Sequence, residues 1–295
     1  MNSITKSKLT VAVFFALPLF ILGCSQQDNA ATAKITLNDS VANTSDNAAD
    51  SNLTSNTEIA DAATILARKQ VPVLCYHDIK NWKPNERASM KEYIVPVQNF
   101  KDQMKILYDS GYKTISPDEY YAYLTTGAPL PEKPVMITYD DTDLEQFTIG
   151  KTEMDKYGFK GVYFIMTISI GRPRYMSKEQ IKQLADEGHT IASHTWDHHN
   201  VKNYVGDDWD NQLLKSKNTI ESITGKPVKY FAYPFGLWKP EAFPELEKRG
   251  YKAAFILSTS RDTTAPLYTI RRMIVPGTWS TTSMLNSMTK TFNRY

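Results

Sequence analysis

The chain has 295 residues, 41% of them apolar and 22% charged. That is enough to build a sizeable core, and it excludes a disordered or membrane-embedded chain as a whole. A formal net charge of +2 leaves no basic footprint for nucleic acid, and two cysteines cannot build a disulfide scaffold.

Lys6 and Lys8 precede an apolar run from Leu9 to Leu22, followed by Gly23 and Cys24. A basic start, an apolar stretch of about 14 residues and a small residue before a cut describe a secretory signal over 1–23. The run is short of the roughly 20 residues that a membrane span needs. The Leu-Gly-Cys ending resembles a bacterial lipobox, which implies cleavage before Cys24, diacylation of its thiol and a membrane partner through that anchor. Ser25 and Gln26 follow, with no Asp after the Cys, so the expected address is an exported lipoprotein of the cell envelope, at the outer membrane. Residues 24–65 are rich in Asn, Ala, Thr, Ser and Asp, with no aromatic residue, and read as a disordered tether with a reach on the order of 35 Å.

Residues 66–295 suit one α/β domain. Loss of Lys6 and Lys8 with the signal brings the basic residues level with the 32 acids, so a neutral polymer is an easier partner than a polyanion. Only Cys75 remains in this body, read as a small apolar side chain in a strand.

The body alternates short β-rich runs with amphipathic stretches. Residues 71–76 read as a strand, and apolar spacing at Phe100, Met104, Leu107 and Tyr108 predicts a helix. After a brief strand at 113–115, Ser116, Pro117 and Glu119 form a capping-box signature. Residues 135–139 are a buried strand, with helix following to about Tyr157, and 161–166 is another strand. Ser177 and Gln180 mark a second capping box, whose helix ends before Gly188. Then come strand 190–192, a helix over about 209–224, strand 230–233, helix 241–249, strand 253–257 and a last strand near 268–275. This alternation predicts an α/β fold: a distorted or incomplete (β/α) barrel with about seven parallel strands. Chemistry in such folds sits at the C-terminal strand ends, where His77, Asp140, Asp141, His194 and Pro234 all fall.

Two adjacent carboxylates at a strand end are weak evidence alone, because such acids often form turns or caps. The histidines are stronger: His194, His198 and His199 fall within six residues. Carboxylate and imidazole together suit a divalent cation and an activated water.

Thr138-Tyr139-Asp140-Asp141, His194-Thr195-Trp196-Asp197-His198 and Tyr233-Pro234-Phe235-Gly236 resemble the three motifs of the polysaccharide deacetylases, the NodB-homology carbohydrate esterases. Tyr76-His77-Asp78 resembles the opening of the branch acting on poly-N-acetylglucosamine. The resemblance spans about 70–280 and implies an enzyme that removes acetyl groups from an amino-sugar polysaccharide. It implies one divalent ion, Zn²⁺ by first choice with Co²⁺ or Ni²⁺ as substitutes, on Asp141, His194 and His198. Asp140 would be the general base that takes a proton from the attacking water. Phe235 would hold the oxyanion through its N–H beside Tyr233 at the substrate, and His77 would be the acid. The commoner motif spacing selects His198, whereas one extra residue, as in the poly-N-acetylglucosamine branch, would select His199.

Three departures stand out. Thr142 replaces the usual Gly, and Ala232 the usual Arg that orients the base, so Arg271 or Arg272 would have to compensate. No His follows residue 199, which favours His77 as the acid. Tyr139, Trp196, Tyr233, Phe235, Trp238 and Trp279 are candidate rim aromatics, with Trp238 and Trp279 expected to touch glycan. Two other readings remain at this point: an O-acetyl esterase of xylan or another glycan, and a catalytically weak glycan-binding lipoprotein.

Overall fold

The structure, a computed structural model, describes residues 59–257 and 259–293. These lie in the compact unit Ser55–Tyr295. The signal over 1–23, Cys24 and most of the tether fall outside the described residues. The tether reading stops short of 65, because helix α1 already runs Ala62–Ala67, with the Asp61 side chain capping the Thr64 N–H at 2.8 Å.

Strand β1 (Val73–Tyr76) leads into a short ribbon, β2 (Asp78–Ile79) paired in parallel with β3 (Ile94–Val95), with helix α2 (Ala88–Lys91) between them. Helix α3 (Val97–Asp109) follows, then β4 (Lys113–Thr114) and α4 (Pro117–Thr126). Strand β5 (Pro134–Asp140) is followed by a π-helical turn, Gln146–Lys151, that passes into α5 (Thr152–Asp155). Next are β6 (Gly161–Ile165), α6 (Lys178–Asp186) and β7 (Thr190–Ser193). A second π turn, Asp210–Leu214, enters α7 (Lys215–Thr224), followed by β8 (Tyr230–Ala232), α8 (Ala242–Lys248) and β9 (Ala253–Ile256). The chain ends with β10 (Ile270–Arg271), β11 (Met273–Ile274) and α9 (Thr281–Phe292). Both capping boxes read from the sequence are formed, at Ser116 with Glu119 and at Ser177 with Gln180.

The strands pair in the order β10-β9-β8-β7-β6-β5-β1-β11, all in parallel, and β4 adds to the start of β5. β10 and β11 are successive pieces of one strand, parted at Arg272. The first piece pairs with β9 and the second with β1, so a single strand closes the sheet on itself. The expected distorted barrel of about seven staves is what forms.

Strand side chains alternate between two compartments, as the pleat requires. Val73, Met136, Val162, Phe164, Ala192, Ala232, Phe255 and Ile270 belong to one buried cluster, the barrel interior. Leu74, Tyr76, Ile137, Tyr139, Tyr163, Phe231 and Tyr233 belong to the other, against the helices. Gly277, just past the closing strand, sits where a Cβ would lie 2.0 Å from the Ile94 carbonyl, so only glycine permits that packing against the ribbon. Among the described residues no helix is long and apolar enough to cross a membrane.

Candidate metal and acid-base centre

Asp140 ends β5 in the inward register, and Asp141 follows on the rim. Asp141, with φ at +77°, turns out of the strand, and His194 Nε2 stands between the two carboxylates, 3.8 Å from Asp140 Oδ2 and 3.5 Å from Asp141 Oδ1. Asp140 is 2% exposed, and Arg272 holds it through Nη1 to Oδ1 at 2.6 Å and Nη2 to Oδ2 at 2.7 Å. Burial opposes ionisation of this carboxyl, but Arg272, with help from His194 and His77, outweighs it and keeps Asp140 well below the usual carboxylate range. Burial opposes the charge on Arg272 as well, yet Asp140 more than compensates and raises it. Each group thus favours the charged form of the other. Of the two arginines that the sequence offered in place of one at 232, Arg272 is the one that reaches Asp140. Its guanidinium lies over the Phe164 ring at 5.0 Å, in the same interior cluster as Ala232.

Asp141, His194 and His198 converge. Asp141 Oδ1 lies 3.5 Å from Nε2 of each imidazole, yet it is buried and has no hydrogen-bond partner. Ligand atoms about 2.1 Å from a tetrahedral ion are about 3.4 Å apart, so the spacing fits a bound cation. His194 Nδ1 is 2.8 Å from the Ala232 carbonyl, which fixes the tautomer: Nδ1–H donates and Nε2 keeps its lone pair toward Asp141. Burial and the neighbouring His194 lower His198, which favours its neutral, ligating form. Two imidazoles and one carboxylate form a donor set suited to Zn²⁺ and its divalent neighbours. His199 points elsewhere: its side chain is 74% exposed, and Nδ1 sits 2.9 Å from Asp197 Oδ1, off the hydrogen-bonding direction.

The loops that carry these groups are strained. Asp141, Thr142, Thr195, His198 and Phe235 all have φ between +61° and +77°. Positive φ is a genuine outlier for a β-branched residue such as Thr142, and such conformations persist only where their surroundings over-determine them. Thr142 stands where the resembling family usually has Gly, and it keeps the glycine conformation. Its hydroxyl accepts from the Met166 N–H at 2.8 Å, a bond that glycine could not make. The Thr195 hydroxyl likewise accepts from the His198 N–H at 2.8 Å.

His77 lies beside the carboxylate. One ring nitrogen, the Cys75 sulfur and an Asp140 oxygen are all within 4.8 Å of one another. His77 Nδ1 is buried without a partner, and Tyr93, 43% exposed, packs edge-on to the ring at 5.2 Å. Cys75 is buried as expected, but it is not merely apolar filling: Sγ sits 3.6 Å from Asp140 Oδ2.

The rim aromatics need correcting. Phe235 is 58% exposed and lies edge-on to His198 at 4.5 Å. Tyr233, expected at the substrate, is fully buried against Phe231 at 5.1 Å, because its register faces the helices. Tyr139 is buried on the same side. Trp238 stacks on Phe243 at 5.3 Å, and Lys215 Nζ lies over the Trp196 ring at 3.6 Å, so each ring, though partly exposed, has one face covered. Trp279 lines two cavities of about 440 and 520 Å³ beside the closing strand. Sequence reasoning did not find Tyr93, whose position depends on the β2–β3 ribbon.

A nearly closed parallel barrel thus carries a carboxylate–histidine cluster on one rim. Residues 127–254 match the family model described as polysaccharide deacetylase. Bacillus subtilis YxkH, which carries the family's name, is 31% identical over 183 residues, 62% of this chain and 63% of YxkH. The poly-β-1,6-N-acetyl-D-glucosamine N-deacetylase of Staphylococcus aureus is 27% identical over 182 residues, 57% of this chain and 62% of that protein. The chain thus spans less than two thirds of either relative's length. The Streptococcus pyogenes deacetylase PplD, solved with acetate, shares the fold at a TM-score of 0.68 and 22% identity, over 74% of this chain and 98% of PplD. His77 and Arg272 both lie outside the matched stretch 127–254.

Proposed function

We propose that the chain is a metal-dependent deacetylase that releases acetate from an N-acetylglucosamine-type polysaccharide at the cell envelope. The observation that carries this reading is the convergence of Asp141, His194 and His198 beside an Asp140 held ionised by Arg272. The name of the staphylococcal relative supports the substrate class. The sequence up to Cys24 supports a lipid on that residue, and Ser25 and Gln26 after it support an outer-membrane address.

A divalent cation on Asp141, His194 and His198 would supply Lewis acidity for the acetyl oxygen and acidify the attacking water. Asp140, ionised and beside the ligand cluster, accepts that water's proton. Arg272 keeps the carboxylate charged and fixes its orientation at both oxygens. The Phe235 N–H donates to the acetyl oxygen as negative charge builds on it. His77 gives a proton to the leaving nitrogen, so that water and acetamide become acetate and amine. The exposed rings of Tyr93 and Phe235, each against a site histidine, offer faces for a sugar.

The test is acetate release by the full chain loaded with Zn²⁺ or Co²⁺. Substrates are β-1,6-linked N-acetylglucosamine oligomers, chitooligosaccharides, peptidoglycan and acetylated xylan. Release from an amino-sugar substrate is expected. Release from xylan alone would replace the reading with an O-acetyl esterase, and release from none would remove it.

A further inference from the structure

Gln146 and Gln212 are 0% and 5% exposed. Each sits in one of the two π-helical turns, Gln146 opening Gln146–Lys151 and Gln212 within Asp210–Leu214. A π turn takes in an extra residue and so re-aims side chains out of α-helical register, often at functional sites. Here both turns aim a glutamine amide at the backbone of a site loop, and the two amides present opposite chemistry.

Gln146 presents its donor end. Nε2 donates to the carbonyl oxygens of His77, at 3.1 Å, and of Asp140. The opposite amide orientation would set Oε1 against two carbonyl oxygens, so the assignment is unambiguous. One side chain thereby ties the end of β1 to the end of β5, joining the segments that bear the acid and the base. Gln212 presents its acceptor end. Oε1 takes the N–H groups of Trp196 at 3.2 Å and Asp197 at 3.4 Å, and Nε2 lies 3.5 Å from His199 Nδ1. Those amides fall between His194 and His198, in the loop where Thr195 and His198 hold positive φ.

We infer that Gln146 and Gln212 are positioning residues for this centre. Gln146, as donor, sets the spacing of the His77 and Asp140 segments, and Gln212, as acceptor, holds the loop that delivers His198. The inference rests on the deacetylase reading only for the roles of His77 and Asp140. The two backbone clamps are defined without it.

Glutamate separates positioning from packing, because it keeps the shape and the acceptor but loses the donor. In the full chain, Gln212→Glu should retain Co²⁺ affinity, while Gln212→Ala weakens it about 10- to 100-fold. Gln146→Glu and Gln146→Met should both lower kcat about 10- to 100-fold at unchanged KM. Because Asp141 directly follows Asp140, both should also shift the visible absorption of bound Co²⁺. Urea melts select the folded variants, and Gln146→Met serves where a buried glutamate prevents folding. Glutamate tolerated alike or damaging alike at the two positions, Gln212→Ala binding Co²⁺ like wild type, or Gln146→Met leaving the Co²⁺ spectrum unmoved would overturn the inference. If wild type releases no acetate, the deacetylase reading falls, and the Co²⁺ titrations and spectra still decide the roles of the two glutamines.

Discussion

Arg272 grips both carboxylate oxygens of Asp140 from 132 residues further along the chain. It does so from the point where the closing strand changes partners, between β10 and β11. The same residue thus sits where the barrel closes and keeps the buried Asp140 carboxylate charged. Its backbone N–H bonds to the Ile256 carbonyl at 3.1 Å, continuing the β9 ladder, while its side chain crosses the interior.

Removing that guanidinium leaves a buried anion without its partner. Arg272→Met should cost about 3–5 kcal/mol in urea unfolding at neutral pH. The sign with pH follows from the depressed carboxyl. In wild type the pair's contribution is present above the unfolded carboxyl value of about 3.9 and fades as pH falls through the lower folded value. In Arg272→Met, burial acts unopposed by the guanidinium, so the acid limb of kcat/KM moves to higher pH. An acid limb that stays in place would mean that Arg272 does not set the ionisation of Asp140.

The arginine that the resemblance places at position 232 would stand on β8, whereas the one that holds Asp140 here comes from the closing strand. Ala232 is fully buried in the interior cluster, and Arg272 already occupies both Asp140 oxygens. Ala232→Arg alone should destabilise, as an unpaired buried charge does. In an Arg272→Ala background it should restore part of the lost turnover. A rescue no better than the product of the two single changes would show that the strands are not interchangeable supports.

What the sequence disclosed depended on how local the cause was. The capping boxes at Ser116 and Ser177 and the apolar strand runs are local, and they fold as read. Tyr233 was misplaced although its strand was found, because alternation puts it on the helix side with Phe231's neighbours rather than with Ala232 in the interior. Helix α9 was hidden by its Thr and Ser content, although Met284, Met288 and Phe292 carry the four-residue spacing of a buried face. The Arg272–Asp140 pair could only be narrowed to two arginines, since no local pattern reports which side of a split strand faces inward. The π turns leave no periodic trace, and the β2–β3 ribbon has two residues per strand, too few to show alternation.

Adjacent histidines should behave unequally. His198 Nε2 faces Asp141, while His199 lies exposed beside Asp197. His198→Ala should lose bound Zn²⁺ on dialysis, and His199→Ala should keep about one equivalent per chain. Metal analysis of the two purified variants decides it, and equal retention would undo the assignment.

His77 should matter for turnover and not for metal retention. It contributes to no donor set around Asp141, and its buried Nδ1 has no partner. His77→Ala should reduce kcat by about 10²- to 10⁴-fold, the range for a lost general acid, with Zn²⁺ content unchanged. Concurrent loss of Zn²⁺ would place His77 among the ligands instead.

At the opposite ends of the strands, His189 should make the fold sensitive to acid. It is 4% exposed, accepts from the Gly161 N–H at Nδ1 over 3.0 Å, and packs edge-on to Tyr163 at 5.6 Å. Burial, then Lys160, pushes it down to about 4, against a smaller opposing pull from Asp155 and Glu187. Between about 6.5, where an unfolded histidine titrates, and 4, the unfolded chain binds the extra proton, so stability falls as pH drops through that window. The loss from this residue approaches about 3 kcal/mol and is complete below the folded value. His189→Asn keeps an acceptor for the Gly161 N–H and cannot titrate. Urea midpoints of this variant should therefore be flatter than wild type across that window. Parallel midpoints in the two proteins would locate the acid sensitivity elsewhere.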